Sequence, residues 1–269
     1  MKKIIIFAIS LMFSFCVNAQ TTLDTSYVEC KYSFTFMKDT LENVKTVQDP
    51  SMILQVGRNY TKFYSYSEFV SDSVMHSLSL AEQEKLLAGG MFDFMQKYPR
   101  GESYKIYKNL SENKITFTDK KIMEKMRYYE PIPKQDWEIL DETKQISGYE
   151  CQKATCSFRG RDYVAWFTSE IPVNEGPWKF SGLPGLIVKV HDTKEHYDFE
   201  LYSVQKIKKD IVFGEEYPEI SRADYVRITR SLIKNPFAGQ DVTITNLDGT
   251  PFKPNVKVRH YDLMERDIK

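Results

Sequence analysis

Val28, Cys30, Tyr32, Phe34 and Phe36 alternate with Glu29, Lys31, Ser33 and Thr35, and a period of two restricts that stretch to a strand with one buried and one solvated face. Cys30 is thereby assigned to the core side. Similar runs recur along the chain. Residues 52–56 and 59–66 flank Gly57-Arg58 as a hairpin, and further strands are expected at 104–108, 114–118, 122–129 and 137–140, separated by short polar turns. Runs at 146–158 and 163–168 flank Arg159-Gly160-Arg161-Asp162, and 186–191 pairs with 197–204 across Asp192-Thr193-Lys194-Glu195.

Two stretches break this rhythm. Leu80, Leu86, Leu87, Met91, Phe94 and Met95 recur at helical spacing with an interruption at Gly89-Gly90, so a helix or helical pair is expected there, its Met and Phe stripe packed into the core. The second is 221–234, where Ser221 can cap, Tyr225, Ile228, Leu232 and Ile233 form a stripe, and Pro236 follows the end. The tail holds a turn at Asn246-Leu247-Asp248-Gly249 and a strand at 256–261. The expected fold is mainly β (α+β): a curved antiparallel sheet or half-barrel with helical insertions near residues 72–98 and 221–234. No repeat or low-complexity linker marks a boundary, so residues 20–269 are read as one β-rich domain.

The first nineteen residues read as a leader. Met1-Lys2-Lys3 is a positive start, the run from Ile4 to Val17 is apolar apart from Ser10 and Ser14, and Val17 and Ala19 occupy the small-residue positions of a cleavage site. The mature chain is expected to begin near Gln20, in the periplasm or outside the cell. No later stretch reaches the roughly 18 continuous apolar residues of a spanning helix. The whole chain has 37 basic and 37 acidic residues, and removing Lys2 and Lys3 leaves 35 against 37, a net charge of −2. Basic and acidic residues are interleaved, as in 120–125, which argues against a nucleic-acid partner.

Cys30, Cys151 and Cys156 remain after the leader, an odd number for an oxidising compartment. Cys151 and Cys156 on one extended strand would stand about 16 Å apart, beyond the roughly 7 Å reach of a disulfide. A bond from Cys30 to Cys151 or Cys156 is therefore expected, with three buried free thiols as the alternative. The Cys-x4-Cys spacing has no companion ligands for structural zinc.

Gly182-Leu183-Pro184-Gly185-Leu186-Ile187 joins a Pro-Gly corner, read as a type II reversal over residues 183–186, to the strand that follows. It stands with residues 144–154 (KQISGYECQKA), 160–167 (GRDYVAWF), Ile171-Pro172, and Gly176-Pro177-Trp178-Lys179-Phe180. In this order, over about 137–191, the chain resembles the GLPGLI family of secreted proteins of Gram-negative bacteria. The leader, the tyrosine-rich first strands and Lys62-Phe63-Tyr64-Ser65 extend the resemblance along the mature chain. It implies an exported, β-rich protein with no catalytic residues to carry over. The family's frequent association with TonB-dependent transport implies an outer-membrane or other envelope protein as partner.

Three readings of chemistry follow. No Gly-x-Ser-x-Gly elbow, His-Glu-x-x-His or Gly-rich phosphate loop is present, so a hydrolase has the least support, and no cofactor is expected. His191 and His196 flank a hairpin turn and could face each other across it, with Asp192, Glu195 or Asp198 completing a zinc or copper site. Trp178, Phe180, Leu183 and Pro184, bordered by Arg161 and Trp166, could form a rigid aromatic binding surface; alternatively Trp178 and Phe180 plug one end of the sheet. The composite expectation is a non-catalytic binding or accessory protein of the envelope, with a carrier of an apolar ligand, held between a helix and a curved sheet, as the variant.

Overall fold

The computed structural model describes residues 21–40, 44–121, 124–214, 216–234 and 263–268. The expected leader and the expected elements at 246–249 and 256–261 lie outside them. The described strands are β1 (Thr21–Asp39), β2 (Val44–Val56), β3 (Tyr60–Ser65), β4 (Lys105–Asn109), β5 (Lys114–Lys121), β6 (Glu124–Pro131), β7 (Glu138–Ile146), β8 (Tyr149–Phe158), β9 (Arg161–Thr168), β10 (Leu186–Asp192) and β11 (Tyr197–Phe213). They form one antiparallel sheet in the order β6-β5-β4-β3-β2-β1-β11-β10-β9-β8-β7.

This order has a geometric consequence. β1 is central, so the chain meanders outward to one edge at β6, then starts again at the opposite edge with β7 and meanders back. Yet β6 ends at Pro131 and β7 begins at Glu138, and seven Cα-to-Cα steps reach at most about 25 Å. A flat sheet would separate its edges by ten spacings, about 48 Å. The sheet must curl until its edges approach, although among the described residues β6 and β7 do not pair. The curl is built into β1, 19 residues long, whose register slips at Thr22/Asp24, Ser26/Val28 and Lys31/Tyr32 against β11 and at three further places against β2. Bulges of this kind bend and twist a strand.

The alternation in β1 points Cys30, Tyr32, Phe34 and Phe36 inward, all buried. Phe34 stacks on Phe199 at 4.3 Å, and Phe63 meets Phe199 edge-on at 6.1 Å. Two hairpins turn through paired positive φ angles: Arg159 (52°) with Gly160 (77°), and Ser147 (51°) with Gly148 (86°). This is the primed-turn geometry that suits the strand twist. The second turn splits the run read from the sequence as 146–158, so Ile146 ends β7 and the next strand starts at Tyr149.

The helical excursion between β3 and β4 consists of α1 (Tyr66–Ser77), α2 (Leu80–Lys85), a π-turn at Leu86–Gly90 and α3 (Met91–Lys97). Ser65 Oγ caps α1 at the Glu68 amide, 3.0 Å, Ser79 and Glu82 form a capping box on α2, and Gly89 at φ 136° breaks the helix where the Gly-Gly pair predicts. The expected packing of this segment is not found. Phe94 is buried, while Leu80, Leu87, Met91, Phe92 and Met95 are exposed. The reason lies in the register: Tyr64 pairs with Lys105, so β3 and β4 close on each other at the base of the excursion, and aromatic side chains already fill the interior behind them. The last helix, α4 (Arg222–Lys234), has the expected cap, with the Asp224 amide donating to Ser221 Oγ at 3.0 Å.

Candidate functional site

Between β9 and β10 the chain leaves the sheet and folds back into the trough. Trp178 is 3 % exposed and Phe180 and Leu183 are equally interior. Phe180 meets Tyr163 at 4.8 Å, Trp178 at 5.3 Å, Phe158 at 5.9 Å and Trp137 at 6.2 Å. Gly176 and Gly185 permit this entry: a Cβ on Gly176 would lie 2.8 Å from Ile187 Cδ1, and one on Gly185 2.0 Å from Thr168 O. The corner itself is tighter than the expected type II reversal. The Gly185 amide donates to Leu183 O at 2.8 Å, a three-residue turn centred on Pro184.

The six residues expected to form a binding surface are thus distributed differently. Pro184 is exposed; Trp178, Phe180 and Leu183 are a plug; Trp166 is packed on β9 with the Lys144 and Lys153 ammonium groups 5.8 and 5.7 Å from its ring. Arg161 is buried, donating to Asp192 Oδ2 at 2.8 Å and to Leu263 O. Burial removes a common face because an inward-facing side chain at the sheet's seam serves packing first.

Charged groups hold the plug. Lys108 on β4, buried, donates to Glu175 Oε2 at 2.7 Å and to Phe180 O at 3.0 Å. Lys179, with no exposed surface, donates to Tyr128 Oη (2.8 Å) and Glu265 Oε1 and forms an ion pair with Glu130 Oε1 (2.6 Å). From there a closed ring runs through Glu130 to Arg159 (2.5 Å), Arg159 to Asp267 (2.9 Å), Asp267 to Arg222 (2.6 Å) and Arg222 back to Glu265 (2.7 Å). Three cations face three carboxylates, so the net charge is zero and each buried charge has opposite neighbours. Burial alone would raise Glu265 and Asp267; for Glu265 the Lys179 and Arg222 charges, and for Asp267 its bonds to Arg222 and Arg159, outweigh it and hold both below the usual range. Burial, reinforced by Glu265 and Glu130, pushes Tyr128 well up. The ring ties β6, the β8–β9 turn, the plug, α4 and residues 265–267 together across the seam.

Above it lies a small cavity of about 80 Å³, walled by Phe117, Tyr128, Trp178 and Tyr225 and bordered by Glu102 and Glu265. Trp178, selected from the sequence as a surface anchor, is one of its walls. Lys179, Glu130, Arg159, Arg222 and Glu265 were not singled out from the sequence; the only signal was a lone Lys between Trp178 and Phe180.

The histidines do not face each other. His191 lies opposite Asp198, and Asp192 between them is committed to Arg161 and to the Tyr197 amide, 2.8 Å. No group of three His, Cys, Asp or Glu side chains suited to a metal occurs among the described residues. Cys30, Cys151 and Cys156 are free and buried, which replaces the expected disulfide. Cys30 is on β1 and the others on β8, with β11, β10 and β9 between them in the sheet order. Burial, with small help from neighbouring carboxylates, raises Cys30 and Cys156 to about 12; burial raises Cys151 to about 11.

The family model Porph_ging, described as a protein of unknown function, matches residues 159–189, from the β8–β9 turn through the plug into β10. No curated protein matches the chain. Two crystal forms of PNGF-II resemble the fold: in space group P21 with a TM-score of 0.51 and 17 % identity over 76 % of this chain, and in C2 with 0.50 and 18 % over 78 %. The chain spans about a third of PNGF-II, 33 and 32 % respectively. At that identity the likeness is one of fold.

Proposed function

We propose that this chain is a GLPGLI-family protein, exported to the cell envelope, that acts as a non-catalytic binding module for an envelope protein. The family reading is supported by the match over 159–189, which contains the Gly182–Ile187 hexapeptide. The binding reading rests on one observation: the excursion from α1 to α3 projects large apolar side chains, with Leu87 80 % and Phe92 70 % exposed, while the interior of the sheet is filled. Apolar side chains grouped on one projecting element mark a contact surface. The interior of the sheet does not suit an acyl chain, because its cavity of about 80 Å³ is well below the several hundred Å³ of a ligand site.

The partner is a protein rather than a lipid surface. Glu68 and Asp72 are paired with Arg100 and Lys120, and the projecting stretch 80–97 carries Glu82, Glu84 and Asp93 against Lys85 and Lys97, a net of −1, which gives anionic headgroups no attraction. A complementary partner offers an apolar groove rimmed by Lys or Arg. The test is in-cell photocrosslinking with a benzophenone side chain at Leu87, with Glu142 as the reference position. One discrete adduct at 87, abolished by Phe92→Asp, is expected. Equal labelling at both positions would sink the reading. N-terminal sequencing of the exported chain, expected to begin at Gln20, tests the compartment separately.

A further inference from the structure

The end of β11 crosses the outer face of β3 and β4, where Lys62 Nζ donates to Val212 O at 3.4 Å and the Phe213 ring meets Tyr107 edge-on at 5.1 Å. Phe63, Ile106, Phe117 and Tyr128 form the buried row across β3 to β6, so the rows on either side of it face outward. One is Lys62, Tyr107, Thr116 and Tyr129; the other is Tyr64, Lys105, Thr118 and Arg127. Two hollows lie on this face, with Tyr107 and Phe213 in the lining of both. The larger, about 420 Å³, is within the range of small-molecule sites and is walled by α1 through Phe69, Ser73 and His76. Those three recur at helical spacing and so share one face of α1. The smaller, about 160 Å³, lies over Tyr60, Thr116 and Tyr129.

The chemistry of the lining narrows the ligand. The charges of the larger hollow are engaged: Lys62 lies against the Tyr64 and Tyr107 rings at 4.8 and 5.4 Å, Lys125 against Tyr217 at 5.5 Å, Lys105 has a partner of its own, and Asp72 is 3.6 Å from Lys120 and 3.9 Å from Arg100. The smaller hollow has one charge of each sign, Glu112 and Lys114. This lining gives an ion no surplus of opposite sign. Main-chain groups are engaged as well, because β4 and β5 are paired on both sides, so an extended peptide finds no edge to join. What remains is aromatic rings, of which Phe69 is 47 % exposed, beside neutral donors and acceptors. His76 Nδ1 lies 2.7 Å from Asp72 O, so the neutral ring carries its proton there and keeps Nε2 as an acceptor. Tyr60 Oη accepts from Asn109 Nδ2 at 2.7 Å and keeps its own proton to donate. The hydroxyls of Ser73 and Thr116 can do both.

We propose that the two hollows form one groove for a neutral oligosaccharide, with one sugar ring against Phe69 in the larger hollow and the chain continuing past Phe213 to Tyr129. A pyranose presents a face of C–H groups, polarised by their oxygens, that the negative face of an aromatic ring attracts. Its rim is hydroxyls that donate and accept, which matches the mixed groups of Ser73, His76, Tyr60 and Thr116. Leu87 and Phe92, the protein contact proposed above, do not line this groove.

The experiment titrates the chain from Gln20 by calorimetry with cellotetraose, maltotetraose, mannotetraose and tetra-N-acetylchitotetraose, and with tetragalacturonate as the acidic counterpart. At least one neutral tetrasaccharide should bind saturably, about tenfold more weakly in Phe69→Ala, and with the same affinity at about 50 and 300 mM salt, since no ion pair forms. Hydroxyl-radical footprinting adds a readout that needs no variant: the bound sugar should shield Phe69, Phe213 and Tyr129 and leave Tyr202, exposed elsewhere on β11, as reactive as before. Absence of binding by all four neutral sugars overturns the proposal, as does binding that Phe69→Ala leaves intact without shielding of the groove. Tighter, salt-sensitive binding of tetragalacturonate would make this an ion site instead. Shielding confined to Leu87 and Phe92 would place the sugar on the helical face, and either result overturns the proposal too.

Discussion

Lys179 shows how much one side chain can hold when water is excluded. Its ammonium touches Tyr128, Glu130 and Glu265 at once, so Lys179→Met leaves the three carboxylates of the ring with only Arg159 and Arg222 to offset them. A loss of about 3–5 kcal/mol is expected in urea denaturation; a loss under about 1 kcal/mol would mean that the ring is dispensable. The two glycines of the corner separate backbone strain from contact. Gly182 has φ 91° with open space around it, whereas Gly185 has φ 148° and a Cβ there would strike Thr168 O. Gly182→Ala should cost about 1–2 kcal/mol, and Gly185→Ala clearly more, measured by the same denaturation. The thiols give a third expectation: in the chain from Gln20, Ellman's reagent should titrate none while folded and three after unfolding, because burial raises all three and a thiolate is the reactive form. Cys30 as a core residue was legible from alternation alone. Its bonding state was not, since pairing depends on which strands become neighbours.

The elements were legible to different depths. Strands with period-two patterns and the cap at Ser221 follow from short-range chemistry, which the sequence carries directly; the caps at Ser65 and Ser79 were not read, and Tyr66, the first residue of α1, was assigned to a strand. The reversal at Ser147-Gly148 was missed because Ser at positive φ is uncommon and gives little signal without Asn or Asp. The helical excursion was found, but its apolar stripe was assigned to the core. Periodicity reports which side chains share a face; it does not report what covers that face. Stability distinguishes the cases: Leu87→Ser and Phe92→Ser should each change it by less than about 0.5 kcal/mol as surface substitutions, whereas Phe94→Ala, removing the buried ring of α3, should cost about 3 kcal/mol or more.

For the whole molecule, the seam between β6 and β7 is closed by charge and by the plug rather than by strand pairing, and this sets the response to acid. Glu265 and Asp267 are held below their unfolded values, so their contribution is complete above about pH 4 and lost as pH falls through the folded values. Glu68 opposes them. Burial raises it despite Arg100, so its protonation recovers some stability on acidification. The urea midpoint should therefore hold from pH 7 to 5 and fall below about pH 4, and Glu265→Gln/Asp267→Asn should flatten that fall. An unchanged acid slope in the double variant would remove the ring from the account.

The sequence by itself determined the class of fold, most strands, the two helical stretches with the cap at Ser221 and the break at Gly89-Gly90, because each depends on residues within a few positions of one another. It also carried the stretch around residues 159–189 that matches a family of unknown function. Only the tertiary structure decided that the sheet curls until its edges meet across six residues, that Trp178 and Phe180 plug the trough, that the thiols stay apart, and that Lys62, Lys105 and Lys125 share one cleft. Those outcomes rest on contacts between residues tens to more than a hundred positions apart, such as Lys108 with Glu175 or Arg159 with Asp267. Nothing in local pattern or propensity specifies which distant charges and rings will meet; the register of the strands and the curvature of β1 do.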